Sequence, residues 1–222
     1  MIITIDGPAG TGKSTVARAV AEKLGFDFLD TGAMYRAIGL EAVRRRANLE
    51  DQREQAFIAR RIRVEFDWAK RPPTVLLNGE PVGHLVRGGE ATRAASYVAT
   101  VPAIREIMVR QQQQIGRERP DLVTEGRDQG SVVFADSPCK FFLTAGVQTR
   151  AARRLAELTG RGMHATLEQV IEDIEIRDHR DATREVGPLL RPDDAIVVET
   201  DGLSPEQVID RLEAEVRRCR RG

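Results

Sequence analysis

Eight consecutive residues, Gly7-Pro-Ala-Gly-Thr-Gly-Lys-Ser14, satisfy the pattern G-x-x-x-x-G-K-[ST]. That spacing serves one kind of chemistry, the cradling of a polyphosphate. Glycines let backbone N–H groups turn inward around an anion, and the N-terminus of a following helix adds a favourable dipole. Lys13 is then expected to neutralise β and γ phosphates, and Ser14 to offer its hydroxyl to Mg²⁺, directly or through water. The pattern carries meaning only between a strand and a helix. Both are in register: the β-branched run Met1 to Asp6 leads in, and Lys13 to Leu24 sets Val16, Ala17, Val20 and Leu24 on one helical face before Gly25. Asp6, at the strand's end, either orders water around the metal or caps a turn.

Arginines form the second set of chemically able residues. Arg36, Arg105 and Arg127 stand alone, Arg150, Arg153 and Arg154 share one helical side at i, i+3 and i+4, and Arg177, Arg180 and Arg184 follow. A small kinase that moves a phosphoryl group between two polyanions needs such a set, because fixed guanidinium groups stabilise the spread charge of the transferring group. Other phosphate-loop classes fit less well. There is no Asn-Lys-x-Asp to read guanine and no D-x-x-G after the second strand; a protein kinase's glycine loop has a different spacing, and D-F-G is missing.

The elements that must position these groups alternate between strand and helix. Phe26 to Leu29 reads as a second strand, Ala33 to Arg46 as a helix, and Glu50 to Arg61 as a more polar one. Arg63 to Asp67 alternates in polarity, and Asn78-Gly79 within Thr74 to Val82 is a strong hairpin signal, so a small antiparallel insertion is expected here. Glu90 to Ala99 returns to helix, and Pro102 opens the next one. Strands follow at Asp121 to Glu125, Lys140 to Thr144 and Ala195 to Val198. Between them Val147 to Leu158 is helical, Thr159 to His164 is a break, and Thr166/Gln169 and Ser204/Gln207 are capping boxes opening two more helices. Such alternation implies a parallel sheet covered on both faces.

Composition narrows the partners. The 222 residues carry 34 basic and 34 acidic side chains, so no global charge recommends nucleic acid or an anionic membrane. Neither is expected as a partner. Two cysteines, Cys139 and Cys219, are too few for a disulfide framework or a zinc site. No run of about 18 apolar residues is present, and the first strand occupies the place of a signal peptide, so a cytoplasmic location is expected.

Taken together, the motifs resemble those of the bacterial cytidylate (CMP) kinases of the nucleoside monophosphate kinase group. The resemblance runs nearly end to end through Ile5 to Ser14, Leu29-Asp-Thr-Gly-Ala-Met-Tyr-Arg36, Ala94-Ala-Ser96, Ile104-Arg-Glu106, Glu125-Gly-Arg-Asp-Gln-Gly130 and Arg177-Asp-His-Arg-Asp181. It implies an α/β fold of the P-loop NTP hydrolase type with a five-stranded parallel sheet flanked by helices. It further implies a core of residues 1–30 and 110–222 with a lid near 151–163, and a CMP-binding domain of residues 31–109 holding the hairpin insertion near 62–84.

The same resemblance implies roles residue by residue. ATP would be held by Gly7, Pro8, Ala9, Gly10, Thr11, Gly12, Lys13, Ser14 and Thr15, with Arg150, Arg153 and Arg154 arriving from the lid. Thr31, Arg36, Arg127 and Arg184 would hold the acceptor phosphate, Arg177 and Asp181 the ribose, and Ser96, Arg105 and Asp128 the base. Lys13, Arg127, Arg153 and Arg184 would stabilise the transition state. Cytosine chemistry supports the base assignment independently, since its N4 amino group donates to a carboxylate, whereas uracil reverses that edge. The implied reaction carries the γ-phosphoryl of ATP, with Mg²⁺, to CMP or dCMP, and a monomer is expected. Another small-molecule kinase on the same core, and a non-catalytic nucleotide sensor, remain open alternatives.

Overall fold

A computed structural model describes residues 1–220 of the chain. Five parallel strands form its main sheet: β1 (Ile2–Asp6), β2 (Asp27–Asp30), β6 (Leu122–Gly126), β7 (Cys139–Thr144) and β8 (Ile196–Glu199), in the order β2-β6-β1-β7-β8. β1 is therefore central. It pairs Asp6 with Gly126 on one side and with Phe142 on the other, so the strand that delivers the phosphate loop also fixes the turn after β6. The helices are α1 (Lys13–Leu24), α2 (Thr31–Arg44), α3 (Gln52–Ala59), α4 (Gly89–Val98), α5 (Pro102–Glu118), α6 (Val147–Gly160), α7 (Leu167–Thr183) and α8 (Pro205–Cys219).

The sheet separates two apolar cores, as alternation of side chains along a buried strand requires. Ile3 and Ile5 of β1, Phe141 and Leu143 of β7, and Val198 pack against Val16 and Val20 of α1 and Leu212 and Val216 of α8. On the other side Leu29 and Leu122 join Met34 and Ile38 of α2 with Ile104 and Met108 of α5. This second core runs on without a break into a three-stranded antiparallel sheet of β3 (Val64–Asp67), β4 (Thr74–Leu77) and β5 (Glu80–Pro81). The β4–β5 connection is Asn78-Gly79, with φ of 52° and 83°, the double left-handed geometry that a two-residue hairpin needs.

Most element boundaries shift from the sequence reading by a residue or two, and two shifts bear on function. α2 starts at Thr31, before the expected Ala33, because the Asp30 carboxylate accepts the Ala33 N–H at 2.8 Å and so caps the helix. After β6, Gln129–Val133 winds into a single π-helical turn that the sequence reading does not include. Both capping boxes form as expected, with Thr166 and Ser204 each accepting from, and donating to, the glutamine three residues on. α6 runs through to Gly160. The turn beyond it reaches the short 3₁₀ turn Leu85–Arg87, where Arg161 Nη1 donates to the Arg87 carbonyl at 3.0 Å. Among the described residues, no helix is long and apolar enough to cross a membrane.

Candidate active site

The phosphate loop leaves β1 with Gly7 at φ 146°, pressed so closely on β7 that a side chain would run into the Leu143 carbonyl. Lys13 folds back on its own loop, and its Nζ donates to Pro8 O at 2.6 Å and to Thr11 Oγ1 at 3.3 Å. Burial, and after it the positive field of Arg127, drives its pKa down to about 7. Ser14 Oγ donates to Glu125 Oε1 at 2.7 Å. Glu125 is buried at the end of β6, and that burial, together with Asp30, raises its pKa. Ala9 N–H donates to Asp178 Oδ1 at 3.2 Å, which ties the loop to α7.

Guanidinium groups converge beside this loop. Arg36 bonds both oxygens of Asp30 at 3.1 and 2.8 Å. Arg127 Nε donates to Asp181 Oδ2 at 2.7 Å, and burial is outweighed by Asp181 and Glu125, so its pKa rises. Among the described residues Arg177 has no carboxylate within ion-pair distance, and its Nε is buried without a partner. Burial, then Arg127, lowers its pKa to about 10. Arg177 thus has too little counter-charge of its own, which a bound anion would supply.

Next to that cluster lies a sealed pair. Arg105 is 1% exposed, and its Nη2 donates to Asp128 Oδ2 while Nη1 reaches Ala99 O at 3.3 Å. Its guanidinium lies 5.5 Å from the centre of the Tyr35 ring. Arg184 closes the group: its Nε donates to Gly187 O at 2.5 Å, its Nη1 lies 3.7 Å from Asp181, and its Nη2 is 3.8 Å from Asp128 Oδ1. Two buried donors, Arg105 Nε and Arg184 Nη2, have no hydrogen-bond partner. Asp128 Oδ1 has only the long contact to Arg184, so donors and an acceptor stand together unused.

The other expected site residues are engaged by partners within the chain. Thr31 is buried and gives its hydroxyl proton to the Glu125 carbonyl at 2.7 Å. Ser96 is turned toward α7: its Oγ donates to Arg93 O at 2.8 Å and accepts from Arg180 Nη1 at 3.1 Å. The three arginines of α6, expected to project together, go three ways. Arg150 is buried against Ala9 O at 3.1 Å, Ala145 O and Asp178; Arg153 donates to Thr200 Oγ1 at 2.9 Å; and Arg154 pairs with Glu157. Their Cα atoms share a helix side, but each long side chain follows the nearest acceptor. Arg154 is among the cations that lower the Arg177 pKa.

A family model described as cytidylate kinase matches residues 3–218. This chain belongs to that family. It is 41% identical over 220 residues to the cytidylate kinase of Caldanaerobacter subterraneus subsp. tengcongensis, covering 99% of this chain and 96% of the relative. It is 39% identical over 210 residues to that of Shewanella loihica, covering 94% and 91%. Among solved structures, an uncharacterised protein from Eubacterium ventriosum matches with a TM-score of 0.52 at 12% identity over 98% of each chain, a likeness of fold alone.

In this cytidylate kinase family member, one side chain that shapes the site, Asp178, was not singled out from the sequence, and Arg180 was read only as one of the arginine set. Asp178 holds both the phosphate loop and Arg150, and Arg180 stacks 4.2 Å from the Tyr97 ring while donating to its hydroxyl. Their signal was the density of charge at the end of α7, which exceeds what a solvated helix face needs. Asp6 caps a turn, and the turn is the one after β6: it accepts from Gln129 N and Gly130 N at 2.9 and 2.7 Å. A cleft of about 700 Å³ opens between α1 and the hairpin sheet, lined by Ser14, Thr15, Arg18, Arg36, Lys70 and Arg87 among others. The hairpin thus forms the far wall of a basic space that begins at the phosphate loop.

Proposed function

We propose that this protein transfers the γ-phosphoryl of ATP to CMP or dCMP, giving ADP and CDP or dCDP. The observation that carries the reading is the sealed Arg105–Asp128 pair, with unpartnered donors beside an under-used carboxylate oxygen at the edge of the arginine cluster. Cytosine offers the complement: an N4 amino donor for Asp128, and N3 and O2 acceptors for the guanidinium groups. Uracil would face Asp128 with an oxygen and leave buried polar groups unpaired, which a site of this kind rejects strongly.

The acceptor is a phosphate oxygen ionised at neutral pH, so the chemistry needs alignment and charge neutralisation, not a general base. Arg36, Arg127 and Arg177 are grouped by their mutual fields beside the phosphate loop, and they supply the acceptor-phosphate contacts. Lys13 exchanges its contacts to Pro8 and Thr11 for the donor's phosphates. Ser14 Oγ and Glu125 Oε1, 2.7 Å apart, are hard oxygen donors of the kind Mg²⁺ selects. Among the described residues no larger cluster of metal-ligating side chains exists, which suits an ion held chiefly by substrate phosphates and water. Ser14 and Glu125 would hold Mg²⁺ there, and it would supply charge neutralisation on the donor's phosphates. The second half of α6 and the turn to α7 act as a lid that excludes water, with Arg154 approaching Arg177.

The test is ADP production from ATP and Mg²⁺ with CMP, dCMP, UMP and AMP as separate acceptors, repeated with Asp128→Ala. Strong turnover of CMP and dCMP, weak turnover of UMP, and loss of that preference in the variant are the expected results. Comparable rates with CMP and UMP would refute the base-reading scheme, and no turnover with any acceptor would refute the kinase reading.

A further inference from the structure

The two groups that would read the base sit on different elements, Arg105 on α5 and Asp128 in the turn after β6. Their separation is therefore a tertiary distance that something must hold. Asp128 has an irregular backbone, φ −143° and ψ 24°, and the next two N–H groups both donate to one carboxylate, Asp6 at the end of β1. Asp6 is 1% exposed, and burial raises its pKa to about 7. The charged groups acting on it are Asp128 and Lys13, besides those two backbone donors. Keeping a carboxylate there costs the fold stability.

The second tie is an amide chain. Gln129 Oε1 accepts from Thr124 Oγ1 of β6 at 2.9 Å, and Gln129 Nε2 donates to Gln112 Oε1 of α5 at 3.1 Å. Gln129 and Gln112 are each 1% exposed, and Gln112 lies two helical turns beyond Arg105 on the same helix. An apolar side chain of the same size would fill this space without the need for partners. The polar chain therefore fixes a geometry that mere filling would not, namely the position of the Asp128 turn relative to α5.

We propose that Asp6 and Gln129 are positioning residues for base recognition: Asp6 fixes the turn that carries Asp128, and Gln129 sets its distance from the helix that carries Arg105. This rests on the reading that Arg105 and Asp128 contact the base. Small displacements of paired donors and acceptors weaken discrimination more than they weaken general affinity, because the competing base gains as the cognate one loses.

The experiment measures kcat and KM for CMP, UMP and ATP in the wild type, Gln129→Met, Gln112→Met, the double variant, Asp6→Asn and Asp128→Ala, with a melting curve for each. Gln129→Met should raise KM for CMP about 10-fold, as expected for the loss of two buried hydrogen bonds, and should narrow the CMP over UMP ratio of kcat/KM while KM for ATP holds. Gln112→Met removes the other end of the tie and should act in the same direction, with the double variant little worse than either single one. Asp6→Asn keeps the shape but offers an oxygen to only one N–H, and it should raise KM for CMP more than KM for ATP. An unchanged CMP over UMP ratio in folded Gln129→Met and Gln112→Met, with Asp128→Ala still losing it, overturns the positioning role and leaves the base reading standing. An equal rise in both KM values overturns the role of Asp6. Retention of the preference by Asp128→Ala overturns the base reading, and this inference with it.

Discussion

Binding of ATP should draw a proton out of solution, and Lys13 is where that proton lands. Its pKa falls from the ordinary 10.5 to about 7, through burial and then through Arg127. That drop corresponds to roughly 5 kcal/mol of disfavoured charge, at about 1.36 kcal/mol per pH unit. A bound triphosphate restores the charged form. At pH 8 a lysine titrating near 7 is about one-tenth protonated, so binding should take up about 0.9 proton, and at pH 6 only about 0.1. Because the bound state holds more protons, affinity should fall as pH rises above about 7. The γ-phosphate of free ATP is already fully ionised at pH 8, so it contributes little there. Glu125 shares the site and also has a raised pKa, so Glu125→Gln is measured alongside. The assay is titration calorimetry at pH 8 in two buffers of different ionisation enthalpy. An apparent binding enthalpy identical in both buffers refutes the reasoning, and an uptake that disappears in Glu125→Gln assigns the proton to the carboxylate instead.

Three further outcomes are expected. Asp6 has its pKa raised to about 7 from 3.8 because it is buried, so the folded state binds the extra proton, and stability present at low pH is lost as pH rises through about 7. Chemical melts from pH 4 to 8 should show a decline of a few kcal/mol, roughly 4 at the limit, that Asp6→Asn flattens. Arg105→Met leaves Asp128 buried with only the 3.8 Å contact to Arg184, and should cost about 3 kcal/mol of stability, read as a lowered Tm. Arg154→Ala should lower kcat far more than it raises KM for CMP. Arg153→Ala should do neither to the same degree, since its side chain is engaged with Thr200, and steady-state kinetics separate the two.

What could be read from the sequence follows from how local the controlling physics is. The phosphate loop, the helix from Lys13 to Leu24, the Asn78-Gly79 hairpin and both capping boxes depend on residues a few positions apart, and all form as read. The sequence reading starts the second helix at Ala33, yet the Asp30 cap begins it at Thr31 and outweighs one unfavourable glycine in the first turn. The site itself depends on pairings between distant segments. Arg127 finds Asp181 across 54 positions, Ser14 finds Glu125 across 111, and Asp6 finds Gln129 across 123. Spacing cannot show which of several carboxylates a long guanidinium will reach, and so Arg150, Arg153 and Arg154 read as one cluster and stand as three contacts. The same reasoning says where further site residues should be sought. A polar residue in a run that otherwise reads as core, such as Asp6 at the end of an apolar strand, must be matched by a partner elsewhere in the chain. Here the partners are the N–H groups next to Asp128, so a buried polar residue in an apolar strand marks the Arg105–Asp128 pair more directly than the exposed charges do.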